Sequence, residues 1–510
     1  MRRPSFSTIR GHLRRHRGLL LVTILALVVR LVWNLWIHNP ANYAYSDMGG
    51  YISRADEMIT RPWLPTKPGP APHLRFGEIV DWLAPRLFGP KSGYLTLYPY
   101  GTHGFIGLVK AVFGKGNKIA LGAAFAVIGA LSVAFSYATA ARLSPRRRVR
   151  RVVAGILIFY YPWISLGGYA LSEAPFTLCI SAIAFYGLRL ADEGRRGDAW
   201  RLGIWLALGT VVRPQVLVSV GFLGLLFLLR RRAFRHFRPM MAVGVALPLA
   251  LTMAVSAWRI HWHMGTKVDA DHLISTNGPL NRVFGRCHNI RLEAKAKDGK
   301  GFFGPPAFGA LLHYEKEHPN PVFRLDPAMG EVIVFSGHMW EAEPNKQLAK
   351  DCVAKTGPWR QVKYAVTHVI LLWGYNIIWP DMGEKPRFRY TMAAFCVAHA
   401  IVIMPPAVLA MVLAFRRRRA RWMLLALHVW GLFLTSMLYF GDTRYRAPYD
   451  GILTVLAIAM VPQIVGVLRR GWEWVRYRRS SKRAISSSLP GSGPAPSAPS
   501  AAAMAASRMR

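Results

Sequence analysis

Carboxylates are scarce in this sequence. Over 510 residues, 25 Asp plus Glu stand against 66 Lys plus Arg, a formal charge of +41. In a soluble chain that excess would point to nucleic acid. Here the basic residues sit in short segments between apolar runs, at 146–151, 230–238, 416–421 and 469–483. That is the positive-inside pattern, which reports topology, so no nucleic-acid partner is expected. Cysteine is scarcer still, four in all, and no pair has zinc-finger spacing. The polar–apolar alternation of barrel strands is missing too; unbroken apolar runs favour a helical bundle over an outer-membrane barrel. The sequence shows no phosphate-cradling Walker loop, dinucleotide fingerprint, His-Glu-x-x-His pair or nucleophile elbow. Nor does it show an internal repeat or the inverted hydropathy symmetry common in transporters.

What the chain has in quantity is apolar length. Hydrophobic residues make up 52%, and several runs reach about 18 residues, enough to cross a hydrocarbon core of roughly 30 Å. The expected fold is therefore an all-α polytopic membrane protein. A basic tail, 1–17, precedes an apolar run with no small-residue cleavage site after it, which reads as an uncleaved signal anchor over 18–37. Keeping every basic loop on the cytoplasmic side gives about ten crossings with both termini cytoplasmic. An N-terminal transmembrane module covers 18–257 and includes a long first outside loop, 38–117, with a short surface helix at 101–113. A small extracytoplasmic domain covers 258–362, a surface helix and further crossings 363–470, and a basic, then low-complexity and disordered tail 471–510. The run 202–229 lies between basic loops on both sides, so it should enter and leave on one side, breaking at Arg213-Pro214.

Five places carry candidate chemistry. In the first outside loop, Tyr45-Ser46-Asp47-Met48-Gly49-Gly50-Tyr51 presents Asp47 either as a general base on an acceptor hydroxyl or as a helix cap. Tyr51 lies beside it, and Asp56 and Glu57 follow as weaker candidates. At Tyr98-Pro99-Tyr100-Gly101-Thr102-His103, His103 is either an acid, base or phosphate ligand or part of a helix-initiating turn. Glu173, at the membrane edge, either faces a cavity or starts a helix ahead of Pro175. Arg213, inside an apolar run, should meet a carboxylate or an anionic ligand. The loop Gly441-Asp442-Thr443-Arg444-Tyr445-Arg446-Ala447-Pro448 places two arginines on the expected outside. They either grip a phosphate or pair with Asp442 or Asp450. Of the cysteines, Cys179 and Cys396 fall in membrane runs. Cys287 and Cys352 both fall in the oxidising compartment, where a disulfide is expected, the alternative being two buried thiols. No metal-ligand cluster stands out. The carboxylates leave room for a divalent cation, and no other cofactor is implied.

In their order along the chain, these motifs resemble the GT-C superfamily of membrane glycosyltransferases, most nearly the bacterial aminoarabinose-transferase and protein O-mannosyltransferase branch. The resemblance runs over about residues 18–470. It implies a polyprenyl-phosphate sugar as donor and a lipid, glycan or protein acceptor. It also implies transfer on the outer face of a bacterial cytoplasmic (inner) membrane. It implies that Asp47 is the general base and that Arg444-Tyr445-Arg446-Ala447-Pro448 lies near the donor phosphate. Glu173 and Arg213-Pro214 match recurrent positions of less defined role. Where the branch often has Lys-Pro-Pro-Leu, this chain has Tyr98-Pro99-Tyr100-Gly101, so His103 becomes the stand-in for that lysine. A transporter or flippase of a lipid-linked or anionic solute, and a polysaccharide polymerase or ligase, are the alternative classes. Whether Asp47, Glu173 and Arg444 meet in one place discriminates between them.

Overall fold

The computed structural model describes residues 6–44, 46–60, 84, 87–88, 91–229, 238–265, 272–286, 291–296, 299–303, 332–336, 342–374, 378–381, 384–416 and 419–487. The chain divides into two compact units, Met1–Met460 and Val461–Arg510. In the first, helix α1 (Phe6–Val32) continues into a π-helical turn, Trp33–Ile37. There follow α2 (Ser46–Thr60), α3 (Gly101–Phe113), α4 (Lys118–Leu143), α5 (Arg147–Ile158), α6 (Tyr161–Gly167), α7 (Glu173–Glu193), α8 (Arg196–Val212), α9 (Val216–Leu229), α10 (Pro239–Met264) and α11 (Gly278–Arg286). After three short strands come α12 (Ala342–Gly374), α13 (Pro386–Ala398), α14 (Met404–Arg416), α15 (Ala420–Leu438), the single turn α16 (Thr443–Arg446) and α17 (Asp450–Ser487). The strands β1 (Arg291–Ala296), β2 (Gly299–Phe303) and β3 (Val332–Ser336) form one sheet in the order β2-β1-β3. The β1–β2 pair is antiparallel and the β1–β3 pair parallel. The sheet falls where the small polar domain was expected.

Among the described residues, length and composition mark seven helices as able to cross a membrane, or eight if the bent pair α5–α6 counts as one span. The expected ten is not reached by that measure, because α8 and α9 have only 17 and 14 residues. Other boundaries move as well. Helix α10 runs past 257 to Met264. Helix α12 passes through the expected 362–363 boundary, kinked at Gly357 (φ 76°) ahead of Pro358. Helix α17 stays helical to Ser487, beyond the start of the expected disordered segment; its remainder lies outside the described residues. Cys352 is disulfide-bonded, while Cys179 and Cys396 are free and buried. The expected partner, Cys287, lies outside the described residues.

The breaks in the helices have identifiable causes. Between α8 and α9, Arg213 is extended (φ −149°, ψ 112°), as a residue preceding proline prefers. Helix α6 carries Pro162 in its first turn, and α5 and α6 meet at 45°. Between α13 and α14 a π-helical turn, His399–Ile403, precedes Pro405 and Pro406, which cannot donate to the ladder.

One buried cation explains how the α5–α6 break is tolerated. Arg30 of α1 is 1% exposed. Its Nη1 donates to the carbonyls of Ala26 (3.2 Å) and Ile158 (3.3 Å), and its Nη2 to that of Leu157 (3.1 Å). Leu157 and Ile158 end α5, where carbonyls lack helical partners and the helix dipole favours a positive charge. An arginine that would be expensive in lipid thus closes a helix end. Replacing it (Arg30→Ala) should destabilise the protein by about 1.5–3 kcal/mol, the range for hydrogen bonds to a charged donor. The check is thermal unfolding in lipid discs; an unchanged midpoint would remove this role from Arg30.

Candidate functional site

The site is assembled from helix ends. Asp47 lies in the first turn of α2, Glu173 is the first residue of α7, Arg213 caps the C-terminus of α8, and Arg444 sits in α16. Each charge at α7 and α8 suits its helix terminus: a carboxylate at the N-terminus, a guanidinium at the C-terminus. Two close approaches bring the segments together. A Cβ on Gly101 would lie 2.7 Å from the Val211 carbonyl oxygen, so only glycine lets the start of α3 sit against the end of α8. A Cβ on Gly441 would lie 1.8 Å from the His368 carbonyl oxygen. The Gly441 N–H donates to His368 Nδ1 at 3.0 Å, fixing the late loop on α12. Burial lowers the His368 imidazole to about 4, keeping it the neutral acceptor this bond needs.

Within this frame the charges alternate. Asp47 Oδ2 accepts from both Nη1 and Nη2 of Arg444, at 3.2 Å each. Arg444 Nε donates to Glu173 Oε1, and Arg213 Nη2 donates to the same oxygen. Arg213 Nε donates to Ser172 Oγ at 2.9 Å, while its buried Nη1 has no hydrogen-bond partner among the described residues. Asp47 Oδ1 accepts from the Tyr98 hydroxyl at 2.8 Å. Aromatic rings line the two cations: Trp379 lies 4.6 Å from the Arg444 guanidinium and Tyr445 4.9 Å from that of Arg213. Tyr51 packs on Tyr98, with ring centroids 5.1 Å apart, and burial pushes its phenol up to about 12. Glu173 is fully enclosed, whereas the Asp47 side chain keeps 29% exposure. A buried ion-pair network therefore ends in one reachable carboxylate.

Asp47, Tyr51, Glu173, Arg213, Arg444 and Tyr445 thus come together. Asp442 is an N-cap, accepting from the Arg444 backbone N–H at 2.8 Å. Two of the candidates stand apart from this group. Arg446 does not face the site. It is 0% exposed, bonds Asp450 at 3.0 and 3.5 Å and donates to the Leu372 carbonyl at 3.1 Å. Asp450 also accepts from the Tyr160 hydroxyl at 2.6 Å, so this arginine locks the late loop to the α5–α6 break. His103 is likewise buried, at 3% exposure. Burial, together with Arg259 and Arg54, holds its imidazole well below the ordinary range, so it carries no charge to offer a phosphate. Sequence reasoning did not single out Tyr98 or Trp379. Tyr98 adjoins a proline turn, which is a weak signal, and Trp379 has none. Among the described residues, no group of three or more His, Cys, Asp or Glu side chains is placed to hold a metal ion.

Beside the site lies a second buried acid. Asp381 Oδ1 accepts from Ser165 Oγ (2.7 Å) and the Tyr169 hydroxyl (2.8 Å), and Oδ2 is buried as well. Burial raises this carboxyl to about 6.

These features define a multi-pass helical membrane protein with a charged site at its helix ends. Residues 99–258, about a third of the chain, match the family model described as dolichyl-phosphate-mannose-protein mannosyltransferase. The match bears out the resemblance to GT-C membrane glycosyltransferases. The curated proteins include no significant sequence match. Among solved structures, the chain is similar to the oligosaccharyltransferase of Archaeoglobus fulgidus in its apo form, at 14% identity and a TM-score of 0.46 over 93% of this chain. It spans about half the length of that protein, 53%. It is also similar to ArnT from Cupriavidus metallidurans, solved in the apo state and bound to undecaprenyl phosphate. Both give 15% identity and a TM-score of 0.35, over 88% of this chain and 78% of ArnT.

Two outcomes follow from the buried charges. Glu173→Gln leaves two guanidinium groups facing each other, and loss of one partner in a buried pair costs about 3–5 kcal/mol; calorimetry should show a large drop in stability. The Asp381 carboxyl binds its proton more tightly folded than unfolded, so its favourable contribution is complete below its ordinary value near 3.8 and is lost as pH rises through about 6. Asp381→Asn should therefore gain stability relative to wild type between pH 4 and pH 7. A pH-independent difference would contradict that assignment.

Proposed function

We propose that this chain is a glycosyltransferase that moves a sugar from a polyprenyl-phosphate donor to an acceptor hydroxyl by inverting single displacement, on the extracytoplasmic face of the membrane. The observation that carries the reading is the pairing of a reachable carboxylate, Asp47, with Arg444 at 3.2 Å, backed by Glu173 and Arg213. A base and the cations for a departing phosphate lie in one constellation. The family model over residues 99–258, named for a dolichyl-phosphate sugar, supports the same class.

In the proposed step, Asp47 takes the proton of the acceptor hydroxyl as its oxygen attacks the anomeric carbon. The bond from that carbon to the phosphate oxygen breaks, and its electron pair leaves with the polyprenyl phosphate. In this reading Arg444 and Arg213, whose Nη1 has no partner among the described residues, stabilise the charge that develops there, in a partly dry site where such donors act strongly. Tyr98 holds Asp47 in orientation. The lipid tail would lie among the apolar helices, which is why the catalyst resides in a membrane. The acceptor is a lipid, glycan or protein hydroxyl.

General-base help is typically worth ~10²–10⁴-fold, so Asp47→Asn should lower kcat by about that factor while the protein still folds. Release of polyprenyl phosphate by purified protein in lipid discs, with membrane extract as acceptor, measures it. A variant within a few-fold of wild type would sink the role of Asp47.

A further inference from the structure

We propose that Arg444 is an exchangeable clamp on Asp47: it ties up the base before the donor binds and transfers its Nη groups to the donor's phosphate on arrival. The proposal rests on the glycosyltransferase reading above and deepens it, by making the base depend on the donor.

The geometry of the clamp carries the inference. Both oxygens of Asp47 are engaged, Oδ1 by Tyr98 and Oδ2 by the two Nη groups of Arg444. A carboxylate so held is poorly placed to receive a proton from an acceptor. Yet the two ends of Arg444 are not equivalent. Its Nε meets Glu173, which is fully enclosed, whereas its Nη groups meet Asp47, 29% exposed. The Nη contacts converge on a single oxygen, instead of forming the two-oxygen fork that makes guanidinium–carboxylate pairs strong. A phosphate offers more charge and several oxygens in the fork geometry arginine prefers. Trp379 covers one face of the guanidinium, so competition falls on the edge that now holds Asp47.

Charge balance points the same way. Asp47 and Glu173 are matched by Arg213 and Arg444. An incoming phosphate makes this group net negative unless one carboxylate takes up a proton, and a carboxylate that has given up its guanidinium is the one to do so. Glu173 touches both arginines and is buried; Asp47 touches one and is reachable. A carboxylate released from a guanidinium accepts a proton more readily. Donor binding would therefore activate the base, with Tyr98 keeping it in place. Without the donor, the base stays restrained.

Coupling of this kind is reciprocal. If phosphate loosens Asp47 from Arg444, the charge of Asp47 must weaken phosphate binding by the same factor. The test titrates full-length protein in lipid discs with undecaprenyl phosphate, and with undecaprenol as the uncharged control. Asp47→Asn should bind undecaprenyl phosphate at least about fivefold more tightly than wild type, the low end of ordinary coupling, with no change for undecaprenol. The gain should vanish when Arg444→Gln is added. Should that double variant not fold, Asp47→Glu takes its place: it retains the charge and should keep wild-type affinity. Equal or weaker binding by Asp47→Asn overturns the clamp, as does a gain that persists without Arg444 or that Asp47→Glu shares. If wild type binds the phosphate no better than undecaprenol, the donor reading fails together with the clamp. If wild type prefers the phosphate but Asp47→Asn gains nothing, the clamp alone fails.

Discussion

The Glu173 carboxylate, enclosed between two guanidinium groups, is the contact on which the rest of the site depends. It joins three segments far apart in sequence: the start of α7, the proline-broken junction of α8 and α9, and the loop before α17. A charge of either sign alone at this depth would be expelled or neutralised. Together they form an arrangement that holds only when all three segments are in place. Asp47 is its outermost member and the most exposed of the four charges.

The helix interruptions serve that network. Pro214 ends α8 where Arg213 must turn toward Glu173, and the α5–α6 bend presents Tyr160 to Asp450. Each break leaves backbone groups unpaired in an apolar setting, and a side chain answers: Arg30 at the end of α5, Asp442 at the start of α16. Broken helices inside a membrane are tolerated where such partners exist.

The two arginines of the late loop, identical in type and two residues apart, have opposite roles. Arg444 faces the acids of the first loop and of α7. Arg446, on the other side of the turn, is fixed to Asp450 one helical turn on. The loop is anchored by one and joined to the acids of the site by the other. His103 illustrates the same division: a residue type suited to phosphate is disarmed by burial against Arg54 and Arg259.

Much was legible in sequence because it is written in local patterns. Apolar length, basic loops and proline positions act through the bilayer and the backbone, both of which read neighbouring residues. They specified a helical membrane protein, the break at Arg213-Pro214 and the candidates Asp47, Glu173 and Arg444. What tertiary structure decided is which charges meet. The separation between Asp47 and Arg444 along the chain is 397 positions, and no local pattern encodes that pairing. The exclusion of Arg446 and His103, and the recruitment of Tyr98 and Trp379, likewise follow from how helices pack. A side chain's charge and partners depend on burial, and burial is a property of the assembled bundle rather than of the residue.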